Sequence, residues 1–123
     1  VKVDWVVVGC GSAALAVVLG AFGAHALKGS IGVDEIEIWK TGVQYQMVHA
    51  IAIVVHGVFR ERRSVGAAPA WCFFLGSLVF CGSLYVLAVG GPRGVGVITP
   101  VGGVLFVVGW VVFGVQAVRG RRD

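Results

Sequence analysis

The sequence predicts an all-α fold, a four-helix bundle that spans a membrane, with both termini cytoplasmic and a short amphipathic lead-in before the second helix. Three observations predict it. Of 123 residues, 58% are hydrophobic and 13% charged, whereas a soluble domain holds about 45–50% and about 25%. The charges stand in clumps between four long apolar runs. The cations also flank those runs unevenly, which is the orientation signal of a bilayer protein. Lipid takes over part of the role of a soluble core, so residues 1–123 are expected to form one membrane domain, with spans at about 5–26, 43–59, 70–90 and 100–118. The net charge of +4 belongs to this flanking pattern. The lipid bilayer is therefore the expected partner, and nucleic acid is not.

The first run, 5–26, is long enough to cross about 30 Å of hydrocarbon. Lys2 and Ala24-His25-Ala26 give it some look of a signal peptide. It exceeds the usual apolar core of about 7–15 residues, and Asp4 interrupts the positive start, so a retained transmembrane helix is expected. Gly9-x-Gly11-x-x-Ala14 after three valines mimics a dinucleotide-binding turn. That motif needs a strand that stops, a helix, and a second strand ending in an acid. Here the apolar run does not stop after the glycines, and no second strand follows. Ser12, Ala16, Gly20 and Ala24 instead form a stripe of small residues that lets another helix approach.

Residues 27–40 connect the first two spans. Asp34 and Glu37 resemble a capping box, and Ile36, Trp39 and Val43 share a side at helical spacing. This predicts a short interfacial helix with Trp39 at headgroup depth, and Gly42 leaves open either a bend or a continuous helix. The second span, 43–59, begins with Gln44, Tyr45, Gln46 and His49, the most polar stretch of any span, and holds His56 two turns deeper. Polar groups in lipid need partners, so Gln44 and His49 are expected to face the bundle interior.

Arg60 to Ser64 close that span, and Pro69 suits the first turn of the next helix. The third span, 70–90, carries Trp71, Tyr85 and the small residues Gly76, Ser77, Cys81, Gly82 and Ser83. A turn at Gly90 to Gly94 follows. Thr99-Pro100 opens the fourth span with a hydroxyl cap and a first-turn proline, and Gly102, Phe106, Gly109, Phe113 and Gln116 share one face. Cys10, Cys72 and Cys81 lie inside apolar runs, odd in number and without metal-ligand spacing, and read as packing residues.

Four spans put both termini and the second loop on one side. Lys2, Arg60, Arg62, Arg63, Arg119, Arg121 and Arg122 lie there, seven of the ten cationic residues. The positive-inside rule makes that side cytoplasmic. His25, Gln44, His49, Tyr85 and Thr99 then all fall in the opposite, outer half.

Gly20 to Leu27 and Trp39 to Ala50 resemble the signature of a small inner-membrane family, YgdD/YwdK-like, whose animal member is transmembrane protein 256. Gly82-Ser83-Leu84-Tyr85, Thr99 to Gly103 and Gly109-Trp110 are similar to its later blocks, in the same order along nearly the whole chain. The resemblance implies four transmembrane helices and a multi-pass protein of the plasma (inner) membrane, or of an organelle inner membrane in a eukaryote. It implies no reaction, cofactor or catalytic residue. His56 is not part of the signature and takes less functional weight than His25 and His49.

No set of nucleophile, base and acid is visible, so no enzyme is expected, and no cofactor or metal. No Asp or Glu lies within a span, which weakens a proton or ion relay. The expected role is a structural or accessory subunit of a membrane assembly, partnered by other membrane subunits or by itself. The alternative is a small-molecule site for quinone, lipid headgroup or haem at the cluster His25, Gln44, His49, Tyr85 and Thr99. Haem needs two imidazoles at one depth. His25 ends its helix whereas His49 lies inside the next, so an interhelical hydrogen-bond network is the preferred reading of these residues.

Overall fold

The computed structural model describes residues 2–120, so Arg121 and Arg122 of the charge argument lie outside the described residues. Four helices, among the described residues, are long and apolar enough to cross a membrane: α1 (Trp5–Leu27), α2 (Val33–Arg62), α3 (Ala68–Ala88) and α4 (Thr99–Gly120). A 3-10 turn over Arg93–Val97 precedes α4.

The Asp4 carboxylate caps α1 by accepting from the Val7 amide at 3.3 Å, which gives the acid a purpose where the sequence suggested only a disturbed leader. The turn after α1 is closed by Ser30 and Ile31 amides on the Leu27 carbonyl. Gly29 there has φ of +87°, a conformation that side-chain-bearing residues rarely adopt.

The amphipathic lead-in and the second span form one 30-residue helix. At 1.5 Å per residue it is about 45 Å long, longer than the hydrocarbon of a bilayer, about 30 Å. The helix runs straight through Gly42. A Cβ there would stand 2.7 Å from Tyr85 Cε1, so the glycine admits the tyrosine ring and does not bend the chain. The N-cap is Gly32, with no side-chain cap. Asp34 therefore falls in the first turn and Glu37 pairs with Lys40 at 3.5 Å.

Neighbouring helices run antiparallel in a register set by small residues. Gly9 lies against Ala50 and Val54, Gly20 against Val43, and Gly23 against Trp39. Gly76 and Gly109 receive Phe106 and Phe73, and Gly102 meets the backbone of Phe80. These contacts join α1 to α2 and α3 to α4, while α2 also packs on α3. Ala16 at the centre of the first stripe is fully buried. Gly11 has open space around it and Ala24 is exposed. The buried line of α1 is thus Trp5, Gly9, Ala16, Gly23 and Leu27, and the glycine pattern serves helix packing. Ala24 falls off this line because a four-residue spacing drifts by about 40° per step on an α-helix, which puts it about 80° from Ala16; the last turn of α1 is a π-helix, Gly23–Leu27.

Trp39 packs against that π-turn. Its indole N–H donates 2.9 Å to the Leu19 carbonyl, and its ring occupies the space beside Gly23. Trp39 is only 6% exposed. It is a buried contact linking α1 and α2, and the α1 backbone supplies the acceptor that its indole needs. A second π-turn, Ser77–Cys81, interrupts α3 where it crosses Gly102 of α4.

Candidate functional site: a polar layer between the helices

The buried residues of α2 include Trp39, Gly42, Gln46, His49, Ile53 and His56. They recur at spacings of three and four, one helical stripe. Gln46 is on it and Gln44 is not. Gln44 is exposed, a correction to the expectation that it faces inward. The reason is rotational: two residues along an α-helix turn a side chain by about 200°. The stripe is a signal the sequence held, obscured by the run of neighbouring polar residues.

Gln46 ties three helices together. Tyr85 Oη of α3 donates 2.7 Å to Gln46 Oε1, and Gln46 Nε2 donates 3.0 Å to the Ser12 carbonyl of α1. A carbonyl has two lone pairs, so Ser12 can serve its own helix and Gln46 together. The Tyr85 ring also lies 4.7 Å from the Trp39 ring, centroid to centroid.

His49, 4% exposed, has both nitrogens engaged. Nδ1 lies 2.8 Å from the Tyr45 carbonyl, and Trp110 Nε1 of α4 donates 3.1 Å to Nε2. A carbonyl only accepts and an indole N–H only donates. The imidazole is therefore the neutral Nδ1–H form. Phe106 stacks on it, with centroids 3.6 Å apart and planes at 9°.

Thr99 hydrogen-bonds the Ser83 hydroxyl across α3 and α4, and Ser83 also donates 2.8 Å to the Phe80 carbonyl. His25 lies exposed on the last turn of α1 and joins none of these bonds. The structure thus brings His49, Tyr85 and Thr99 into the interior and leaves His25 and Gln44 outside it. It adds the buried Gln46 and Ser83 and the exposed Trp110, whose indole N–H reaches inward to His49, none of which sequence reasoning assigned. The lone pair of His49 that would bind iron is already held by Trp110. Among the described residues, no three of His, Cys, Asp and Glu gather as metal ligands.

A second buried imidazole lies toward the arginine-rich end. His56 is wholly buried, and its Nε2 lies 2.8 Å from Gln116 Oε1. Gln116 Nε2 donates 3.1 Å to the Gly66 carbonyl, which fixes the amide orientation and makes His56 the Nε2–H form. Its Nδ1 has no partner. Phe113 meets the ring edge-on at 4.8 Å. The face of α4 predicted from Gly102 through Gln116 is the face that packs.

Comparison with known proteins agrees with this architecture. A family model described as a protein of unknown function (DUF423) matches residues 19–103, which include Gln46, His49, Tyr85 and Thr99. The UPF0382 membrane protein YwdK of Bacillus subtilis is 42% identical over 118 residues, covering 94% of this chain and 96% of the relative. The UPF0382 membrane protein SAB0533 of Staphylococcus aureus is 40% identical over 108 residues, covering 87% and 88%. No solved structure matches the chain. With four membrane-spanning helices and relatives similar over most of their length, the chain belongs to the UPF0382 (DUF423) family of membrane proteins, a family of unknown function.

Proposed function

We propose that this membrane protein is a non-enzymatic structural or accessory subunit of a membrane assembly in the cell inner (plasma) membrane. The observation that supports this most directly is the internal saturation of the polar layer. Gln46 and His49 spend their hydrogen-bonding groups on Tyr85, Ser12, Tyr45 and Trp110. A quinone, lipid headgroup or haem at this level would have to displace bonds that already hold the helices in register. Such bonds average only about 0.6 kcal/mol each in membranes, yet they select one arrangement of helices. The outward side of α1, by contrast, presents Cys10, Gly11, Ala14 and Ala21, small and exposed. Gln44 is exposed on α2 and makes no side-chain hydrogen bond among the described residues. Small residues admit another helix, and an amide can hydrogen-bond to it.

Among the described residues, Lys2, Arg60, Arg62, Arg63 and Arg119 lie at one end of the bundle, and Lys28, Lys40 and Arg93 lie at the other. The excess of cations supports a cytoplasmic position for the termini. Two measurements test the proposal. A photoactivatable residue at position 14 or 44, in native membranes, should cross-link to a second membrane protein or a second copy, and recovery of lipid adducts alone would defeat it. A C-terminal fusion should be active with a cytoplasmic reporter and silent with a periplasmic or extracellular one.

A further inference from the structure

We infer that the cleft between the α2–α3 loop and the end of α4 binds the phosphate group of an anionic phospholipid. The cleft encloses about 970 Å³ and is lined by Arg62, Arg63, Ser64 and Arg119, together with Gln116 and the loop backbone. Among the described residues, no acidic side chain is in its lining. A second cleft at the same end, about 670 Å³, mixes Lys2 and Arg60 with Asp4 and Glu61. The cations of that second cleft have anions beside them, whereas the three arginines of the first have each other.

The arginines also suit the helix C-termini they stand on, but that role needs no shared concavity. Several features hold this one open. Gln116 donates to the Gly66 carbonyl at 3.1 Å, and Arg60 Nε donates to the Val65 carbonyl at 3.1 Å. Both anchor the loop, and the buried His56 holds Gln116 in turn. The Arg63 guanidinium lies 5.8 Å above the Phe59 ring. It also passes so close to Gly120 that a Cβ there would stand 2.6 Å from Nη1. The amides of Ser64, Val65 and Gly66 make no backbone hydrogen bond among the described residues, so the loop adds unused donors.

Position identifies the source of the phosphate. The cleft lies where α2 and α4 end and α3 begins, at the boundary between apolar helix and charged loop. That is headgroup depth for three long apolar helices. Basic pockets between membrane helices suit phospholipid headgroups that carry net negative charge. A choline or ethanolamine head would bring its ammonium against three arginines, whereas a glycerol head would not. The inference does not depend on the accessory-subunit reading.

The test uses the full chain in mild detergent, with retained lipid counted by native mass spectrometry. Wild type should keep phosphatidylglycerol in preference to phosphatidylcholine. Arg63→Gln with Arg119→Gln should lower the affinity for phosphatidylglycerol on the order of 30-fold, and Arg119→Gln alone roughly fivefold, from the usual contribution of a cation at a charged membrane surface. Arg93→Gln, at the opposite end, should leave it unchanged. Equal retention of the two lipids by wild type overturns the inference. So does an unaltered preference in the arginine variants, whose fold is checked by helical circular dichroism and a single elution peak. Displacement of the lipid by millimolar inorganic phosphate overturns the lipid as the source of the phosphate.

Discussion

Replacing Gln46 with leucine isolates the junction of three helices. The substitution keeps roughly the same volume and removes two interhelical bonds, one of 2.7 Å from Tyr85 and one of 3.0 Å to Ser12. At about 0.6 kcal/mol per bond in a membrane, the expected loss is about 1.2 kcal/mol. Tyr85→Phe removes one bond and should cost about 0.6 kcal/mol. The double variant breaks no third bond, so the pair should show a coupling of about 0.6 kcal/mol. Gln44→Leu is the control, because its exposed amide has no partner among the described residues, and surface changes lie within about 0.5 kcal/mol. Reversible unfolding in mixed micelles, with helical ellipticity followed against the mole fraction of a denaturing detergent, gives all four values. If Gln44→Leu is the more damaging of the two glutamine variants, or if the coupling is absent, then the rotation of α2 described above is wrong.

Other consequences follow from the same contacts. Gly102→Ala would press a methyl group into the backbone of Phe80 and should destabilise the bundle by about 1–3 kcal/mol, as overpacking does. Gly11→Ala, with nothing near it, should be neutral or stabilising by up to about 1 kcal/mol in the same unfolding assay, as alanine favours a helix interior over glycine. Trp39→Phe removes the 2.9 Å bond to Leu19 and should speed amide hydrogen exchange across Gly23–Leu27. Unchanged exchange there would mean that Trp39 does not hold the π-turn. His49 offers no free lone pair while Trp110 holds Nε2, so the purified protein mixed with haem should show no Soret shift from axial ligation. A shift that disappears in His49→Ala would show that the imidazole leaves Trp110 for iron.

Much of the fold is legible in the sequence because transmembrane helices are announced by composition over about 20 residues. The ends of each span lie near the charge clusters, and the packing face of α4 follows from spacing alone. The site is less legible. Gln44 and Gln46 are chemically identical and two residues apart, and only the facing helices distinguish them. Trp39 illustrates the same difficulty. Tryptophan near a span end ordinarily marks the membrane interface, and nothing in its local sequence shows that a carbonyl of α1 stands within reach. His56 took little weight from its sequence context, yet it is wholly buried and its partner lies 60 positions away.

By itself the sequence determined that the chain has four segments long and apolar enough to cross a membrane, that charges cluster between them, and that small residues line its close contacts. These depend on hydrophobic length, charge asymmetry and residue size, all properties of single segments. Only the tertiary structure decided which polar groups meet. Hydrogen bonds such as Tyr85 to Gln46 and Trp110 to His49 join different helices and require their rotation and register together. That rotation is set by where glycines allow backbones to touch, at Gly9 against Ala50 and at Gly102 against Phe80. Since a polar group in lipid is costly without a partner, the contacts that position the helices also determine which polar groups turn inward.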